Sequence, residues 1–319
     1  MTWREYDRNR QENLLALHAR VQSGRYRAVP SRRVYIPRAD GRLRPLGIAS
    51  LEGKIVQRAV AEVLNAVYEA GFKGFSYGFR PGRSQHDALD ALSAGLGRRV
   101  NWVLDADARG FFDHLDRGWL ERFLRHRFAD DFIVGFQYQD DAEKFLGELR
   151  GRLAKFSLEL HPEKTRLIES GPHAARDRKA RGEGKPETFT FLGFRHIARM
   201  TRQGRFWVQR ITDKKKMTAK LKPVKAELVK RRHLPVPEQG RWLASVIRGH
   251  EAYYAVPGNA EAVAAFRYYV TRHWRFALSR RSQKSRVTWE RMSRLARRYL
   301  PTTRIRHPWP EARFAARHP

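Results

Sequence analysis

The 319-residue chain has no cysteine. That excludes disulfides, iron–sulfur clusters and thiolate-bound zinc, and it suits a reducing compartment. Long apolar runs are also missing, since no stretch approaches the ~20 residues of a membrane span. The opening MTWREYDRNRQENLLALHAR lacks the apolar centre of a signal peptide. A soluble, cytoplasmic protein is therefore expected, with no membrane partner. Acidic groups are scarce, with 33 Asp and Glu against 65 Lys and Arg, for a net charge of +32. Such an excess exceeds what solubility needs and points to a polyanionic partner. An anionic membrane is the bland alternative. The bases, however, alternate with Trp, Tyr and Phe over a long stretch rather than flanking one amphipathic anchor, and this favours nucleic acid.

The scarce acids are unevenly placed. Residues 1–170 carry 29 basic and 23 acidic groups, and residues 171–319 carry 36 and 10. The carboxylates thus sit in the first half and the polyanion-binding surface in the second.

Hydrophobic spacing predicts helices over 11–22, through Ile55, Val56, Ala59, Val60, Val63 and Leu64, and over SQHDALDALSAGL with Ser84 as its cap. Gly and Pro punctuate 28–50 and 71–83 as loops with short extended pieces. NWVLDADARGFFDHLD reads as a strand with Val103, Asp105 and Asp107 on one face. A short helix is expected over 116–126. RFADDFIVGF reads as two strand-like runs meeting at Asp130 and Asp131 in a tight hairpin. A longer helix follows through Ala142, Phe145, Leu149 and Leu153, then a buried strand, FTFLGF. From about residue 200 the pattern is helical and basic, with Pro235 and Pro237 marking a boundary. Trp242, Leu243, Val246, Ile247, His250, Tyr253 and Tyr254 form one helical stripe. That spacing favours core packing for Tyr253, Tyr254, Trp274 and Trp289 over stacking on unpaired bases.

Adjacent acids at a turn are commonly only turn formers. If the strand carrying Asp105 and Asp107 lies beside the hairpin, Asp107 and Asp130 approach one another. Like charges gathered in a partly apolar setting then require a positive group among them. Divalent Mg²⁺, which favours carboxylate and phosphate oxygens, is the economical candidate, and two such ions would serve phosphoryl transfer.

Six blocks in order, RRVYIPRADGRLRPLGIASLEGKIVQRAV, SYGFRPGRSQHDAL, WVLDADARGFFDHLD, FADDFIVGF, LELHPEKTRLIE and FTFLGF, resemble the reverse-transcriptase blocks of bacterial group II intron-encoded reverse transcriptase/maturases. PEQGRWLASVIRGHEAYYAVPGN and RRSQKSRVTWERM resemble that family's maturase-specific domain. The resemblance implies an RNA-directed DNA polymerase that also helps intron RNA fold and splice. It implies Mg²⁺ held by Asp107, Asp130 and Asp131, Phe112 against the incoming sugar, and Arg38 and Arg44 against the triphosphate. Arg38 replaces a Lys of many relatives and offers a planar fork instead of a point charge. Asp105 and Asp113 are assigned to folding. The implied fold is α+β. Residues 1–100 would form reverse-transcriptase-like fingers and 101–198 a ferredoxin-like palm with an antiparallel sheet. A basic thumb or linker follows over 199–235, then a helical maturase domain over 236–319. Implied partners are intron and template RNA and a DNA primer or target in the bacterial cytoplasm. A homodimer is left open.

The chain departs from the family in one place. Relatives carry a long segment before FADD, with a PQG loop and a helix beginning SP, whereas here Asp107 and Asp130 are 23 positions apart. LERFLRHR runs directly into FADDFIVGF, so a segment looks deleted at Arg127. A strand, short helix and strand joined by a brief parallel crossover can still be drawn. Impaired polymerase activity is the expectation. A DNA endonuclease module, which contains Cys in relatives, is not expected either. The alternatives are a non-enzymatic RNA-binding maturase and a decayed copy of a mobile element.

Overall fold

The computed structural model describes residues 2–37, 43–72, 74–97, 100–109, 118, 131–156, 158–201, 203–283 and 285–317. The side chains of Arg44, Ala70, Asp131 and Phe132 also lie outside that description. Helices and small antiparallel sheets make an α+β chain of two compact units, Met1–Gly82 and Arg83–Pro319. Among the described residues no helix is long and apolar enough to cross a membrane.

In the first unit α1 (Trp3–Arg8) starts at Thr2, whose hydroxyl accepts from the Glu5 amide while the Glu5 carboxylate accepts from the Thr2 amide. This reciprocal cap satisfies two otherwise unpaired donors. Then come α2 (Arg10–Gln22), the hairpin strands β1 (Arg32–Pro37) and β2 (Leu43–Ile48), and α3 (Leu51–Tyr68). Pro45 is tolerated in β2 because a two-stranded sheet consists only of edges. Arg20 donates to Glu52 at 2.6 Å, fastening α2 to α3. Buried Arg80 grips Glu69 through Nε and Nη2 and closes the loop after α3.

The second unit opens with α4 (Gln85–Leu96), capped by Ser84 and Asp87. Its first sheet has the order β4-β3-β5, with β3 (Trp102–Asp107) central, β4 (Asp131–Phe136) and β5 (Arg166–Glu169) antiparallel to it, and α5 (Gln139–Ala154) packed on β3 and β4. The β3–β4 pairing is antiparallel, so no parallel crossover joins them. An antiparallel pair requires only that the chain reverse direction. Of the helix expected over 116–126 the described residues include Gly118, which is helical, and the rest of it and the first run of the expected FADD hairpin lie outside them.

After α6 (Ala174–Ala180), a second sheet holds β6 (Phe189–Phe191), β7 (Phe194–Met200) and β8 (Phe206–Thr212). FTFLGF is thus a hairpin corner rather than one strand. Leu192 and Gly193 both adopt positive φ, 47° and 80°, as a two-residue turn matched to strand twist requires. Strand structure also extends past residue 200, where the sequence suggests helix, because Phe206, Val208 and Arg210 alternate inward on β8.

The helices α7 (Lys214–Lys230), α8 (Val236–Tyr254), α9 (Ala260–Ser279), α10 (Trp289–Tyr299) and α11 (Pro310–Arg317) complete the unit. Leu228, Leu243, Ile247, Phe266, Val270 and Trp274, with Met292 and Ala296, form the shared core of α7 to α10, while α11 packs on α4. Buried Gln239 donates from Nε2 to the carbonyls of Arg231, Arg232 and Leu234 and accepts from the Trp274 indole at 2.8 Å. One amide thereby ends α7 and anchors the central Trp. Asp90, 1% exposed, accepts from Arg210 of β8 at 3.0 Å and from Arg313 of α11.

Two histidines are buried by this packing and a third, His86, is half-buried. His196 lies flat on Phe189, His250 on Phe266, and His86 stacks on His307. Burial lowers the pKa of His196 from 6.5 to about 3 and that of His250 to about 4. His86 falls to about 4 through burial first, then through the charges of His307, Arg313 and Arg210. A lowered folded-state pKa means that the unfolded chain binds more protons, so stability is full above 6.5 and declines as pH falls toward 4. Ordinary carboxylates titrate near ~4, so the upper part of this window belongs to histidine. Urea unfolding is therefore expected to show a lower midpoint at pH 5 than at pH 7, and equal midpoints would contradict neutral, buried imidazoles.

Candidate active site and nucleic-acid interface

The candidate site lies where β3 ends. The β3–β4 register sets Ala106 opposite Phe132 and Asp107 opposite Asp131. Directly opposed residues of antiparallel strands have Cα atoms about 4.5–5.5 Å apart, so the two aspartates leave neighbouring backbone positions. Asp105, two residues earlier on the same face, pairs with Ile133 and Arg166 and lies inside the sheet.

Asp107 is only 25% exposed, and its Oδ2 pairs with the Lys164 ammonium. That lysine is brought back by a chain turn. The Arg109 amide donates to Glu159 at 2.8 Å, the His161 amide donates to the Asp107 carbonyl at 2.7 Å, and Lys164 and Thr165 donate to His161. A bridge between Ala108 and Leu160 aligns the two segments. The positive group beside the Asp107 carboxylate is a lysine 57 residues away. Lys164 lies within LELHPEKTRLIE but carries no role on sequence grounds. Only its Lys type beside the acids hints at one, and spacing along the chain cannot reveal it.

The other expected site residues are less fully described. Asp131 is placed by its backbone alone. Arg44 is placed likewise, opposite Ile36 in the β1–β2 hairpin of the first unit. Asp130, Phe112 and Arg38 lie outside the described residues, as does Asp113. Among the described residues no group of three His, Asp or Glu side chains could hold a metal ion. Asp107 supplies a carboxylate oxygen, a hard donor of the kind Mg²⁺ prefers, opposite the backbone position of Asp131.

The basic half forms a second feature. Beside β8, α7 and α9 is a cavity of about 700 Å³ lined by Arg195, Lys214, Lys222, Lys225 and His273, with Tyr269 beside them. Lys225 and Arg280 both lie over the Phe276 ring, at 5.6 and 4.3 Å. The aromatics expected in the core divide. Trp274 is fully buried and Tyr253 donates to the Leu192 carbonyl, but Trp289 is 40% exposed. Helical spacing places it on the same face as Met292 and Ala296, three and seven residues on, but as the first residue of α10 it stands at the end of that stripe and stays exposed.

Residues 36–126 match the family described as reverse transcriptase (RNA-dependent DNA polymerase). Among relatives, Protein YkfC of Escherichia coli (strain K12) is 40% identical over 121 residues, covering 37% of this chain and 32% of that protein. Group II intron-encoded protein LtrA of Lactococcus lactis subsp. cremoris is 36% identical over 121 residues, covering 38% and 20%. The uncharacterized 91 kDa protein in cob intron of Schizosaccharomyces pombe is 36% identical over 114 residues, covering 36% and 14%. The matched stretch spans about a third or less of these relatives' own lengths. The chain is similar to group II intron-encoded reverse transcriptase/maturases, as its motifs indicate.

Lys164 is 59% exposed, so its pair with Asp107 is screened by water. Lys164→Met is expected to change the stability read from urea unfolding by less than about 1 kcal/mol. A loss of several kcal/mol would instead make the pair a fixed part of the fold.

Proposed function

We propose that the chain is a reverse transcriptase/maturase of the group II intron type, with RNA binding intact and polymerase activity impaired. The observation that carries the polymerase assignment is the register of Asp107 opposite Asp131. On this reading 1–100 are fingers-like, 101–198 the shortened palm, 199–235 the thumb or linker and 236–319 the maturase domain.

Asp107, Asp130 and Asp131 would hold Mg²⁺, which when bound would activate the primer hydroxyl and neutralise the charge on the triphosphate. Asp107 exchanges its partner on this account. The exposed Lys164 withdraws, which costs little because the pair is weak, and leaves the carboxylate oxygen free. Arg38 and Arg44 bind phosphate oxygens, and Phe112 packs against the sugar. The basic cavity beside α7 and α9 offers cations to the backbone of template or intron RNA, and each phosphate neutralised adds salt-sensitive affinity.

Impairment follows from the 23 positions between Asp107 and Asp130. The family match ends at residue 126, one residue before Arg127, where the blocks join. A chain this short between the acids cannot supply the loop and helix that support template and palm in the relatives. Primer extension at saturating Mg²⁺ is expected at background while the chain still binds RNA, and processive synthesis would overturn the impairment.

A non-enzymatic maturase is the second reading, favoured by the charge of residues 171–319. The double change Asp130→Ala and Asp131→Ala separates the two. If the acids serve only the polymerase, splicing assistance survives the change. Loss of splicing in a folded variant would remove the binding-only account.

A further inference from the structure

Tyr268, Tyr269, Phe276, Trp289 and Trp309 all remain exposed in the helical region, and two of them stack on each other. Tyr268 on α9 is 52% exposed and Trp289 at the start of α10 is 40% exposed, and their rings lie nearly parallel, 5.9 Å apart and tilted by 10°. The core face of α9 is filled by Phe266, Val270 and Trp274, so neither ring is required there. The pair is nevertheless held in place. The Arg275 guanidinium lies 4.7 Å over the Trp289 ring while its Nε donates to the Val287 carbonyl at 2.8 Å. The Thr288 hydroxyl accepts from the Arg291 amide and fixes the first turn of α10 beneath Trp289. Exposed Arg272 lies one turn after Tyr268 on the same helix face, and exposed Arg286 and Arg291 lie within three residues of Trp289, beside the acidic Glu290.

From this arrangement we infer that Tyr268 and Trp289 form a stacking platform for an unpaired base of single-stranded RNA, with the surrounding arginines binding the adjacent phosphates. The inference rests on the RNA-binding reading above and adds the class of RNA structure that is recognised. An exposed apolar ring pair is otherwise unfavourable in water, and a nucleobase would cover it while continuing the stack Arg275–Trp289–Tyr268. The charge complements a polyanion. A base inside a duplex cannot reach the platform because both of its faces are already stacked. The site therefore selects loops, bulges and ends.

The test uses the full chain and two fluorescein-labelled probes read by anisotropy at one ionic strength, an unpaired RNA of roughly 12 nucleotides and a blunt RNA duplex of similar length. Combining Tyr268→Ala with Trp289→Ala should weaken binding of the unpaired probe at least about fivefold and of the duplex less than about twofold. Tyr268→Phe should keep the wild-type preference. An unchanged affinity for the unpaired probe, or equal losses for both probes, would overturn the platform. Photocrosslinking of the unaltered chain to 5-bromouridine RNA provides a check that needs no variant. Adducts on the peptides bearing Tyr268 or Trp289 support the inference, and adducts confined to other peptides refute it. If the unaltered chain binds neither probe, the RNA-binding reading falls as well, whereas failure of the variants alone removes only this site.

Discussion

The candidate site depends on the hydrogen bonding of β3 on both sides. A central strand paired with β4 and β5 has little freedom to slip, because a shift of one residue would move every side chain to the opposite face. Val103 and Leu104 are wholly buried, so both faces resist such a shift. The register is thereby fixed, and with it the position of Asp107 at the strand end. There the ladder stops, and the backbone bond from His161 to the Asp107 carbonyl takes over. Asp107 is held by the sheet at its backbone and by an exposed lysine at its carboxylate. A fixed acid with an exchangeable partner is suited to receiving a cation.

The charge balance acts differently in the interior. So basic a chain must bury some of its arginines as the sheets and helices pack, and it does so on the few acids available. Asp90 takes Arg210 and Arg313 together, joining α4, β8 and α11. Glu169, buried on β5, takes Arg181 at 2.5 Å and lies within 3.8 Å of Arg178. Such buried pairs contribute little beyond the cost of desolvating both partners, but leaving one partner alone is strongly unfavourable. They specify which arginine goes where more than they add stability. Arginines left without an acid collect on the surfaces of the helical region.

Local signals in the sequence were followed closely by the chain. Ser84 with Asp87 starts α4, the alternation through Val103, Asp105 and Asp107 becomes β3, and the stripe from Leu243 to His250 enters the core as its period requires. What could not be read was set by contacts between distant residues or by single backbone positions. FTFLGF contains no Asn or Asp to announce a turn, yet Leu192 adopts positive φ because pairing of Phe191 with Phe194 leaves only two residues for the reversal. Lys164 reaches Asp107 through a bridge between segments more than fifty residues apart. Of the candidate site, the register sets Asp107 opposite the backbone of Asp131, while the expected approach of Asp107 to Asp130 lies outside the described residues. Asp130, Arg38 and Phe112 lie outside what the structure describes.

Trp274 and Trp289 show why periodicity alone separates core from surface poorly in this region. Both fall on helical spacings rich in apolar residues. Trp274 lies mid-helix, where the turns before and after it also face inward, and its indole finds the Gln239 carbonyl oxygen as a buried acceptor. Trp289 begins a helix, so no preceding turn supports it, and its neighbours Glu290 and Arg291 are exposed. The hydrophobic pattern is the same in the two places, but the position within the helix differs. A ring at the first turn can pack on one side only, and in a chain with this excess of arginine its free side is flanked by guanidinium groups. Surface aromatics framed by cations arise in this way from helix ends that the core has no room to cover, and that geometry leaves ring faces open to a planar partner carrying negative charge.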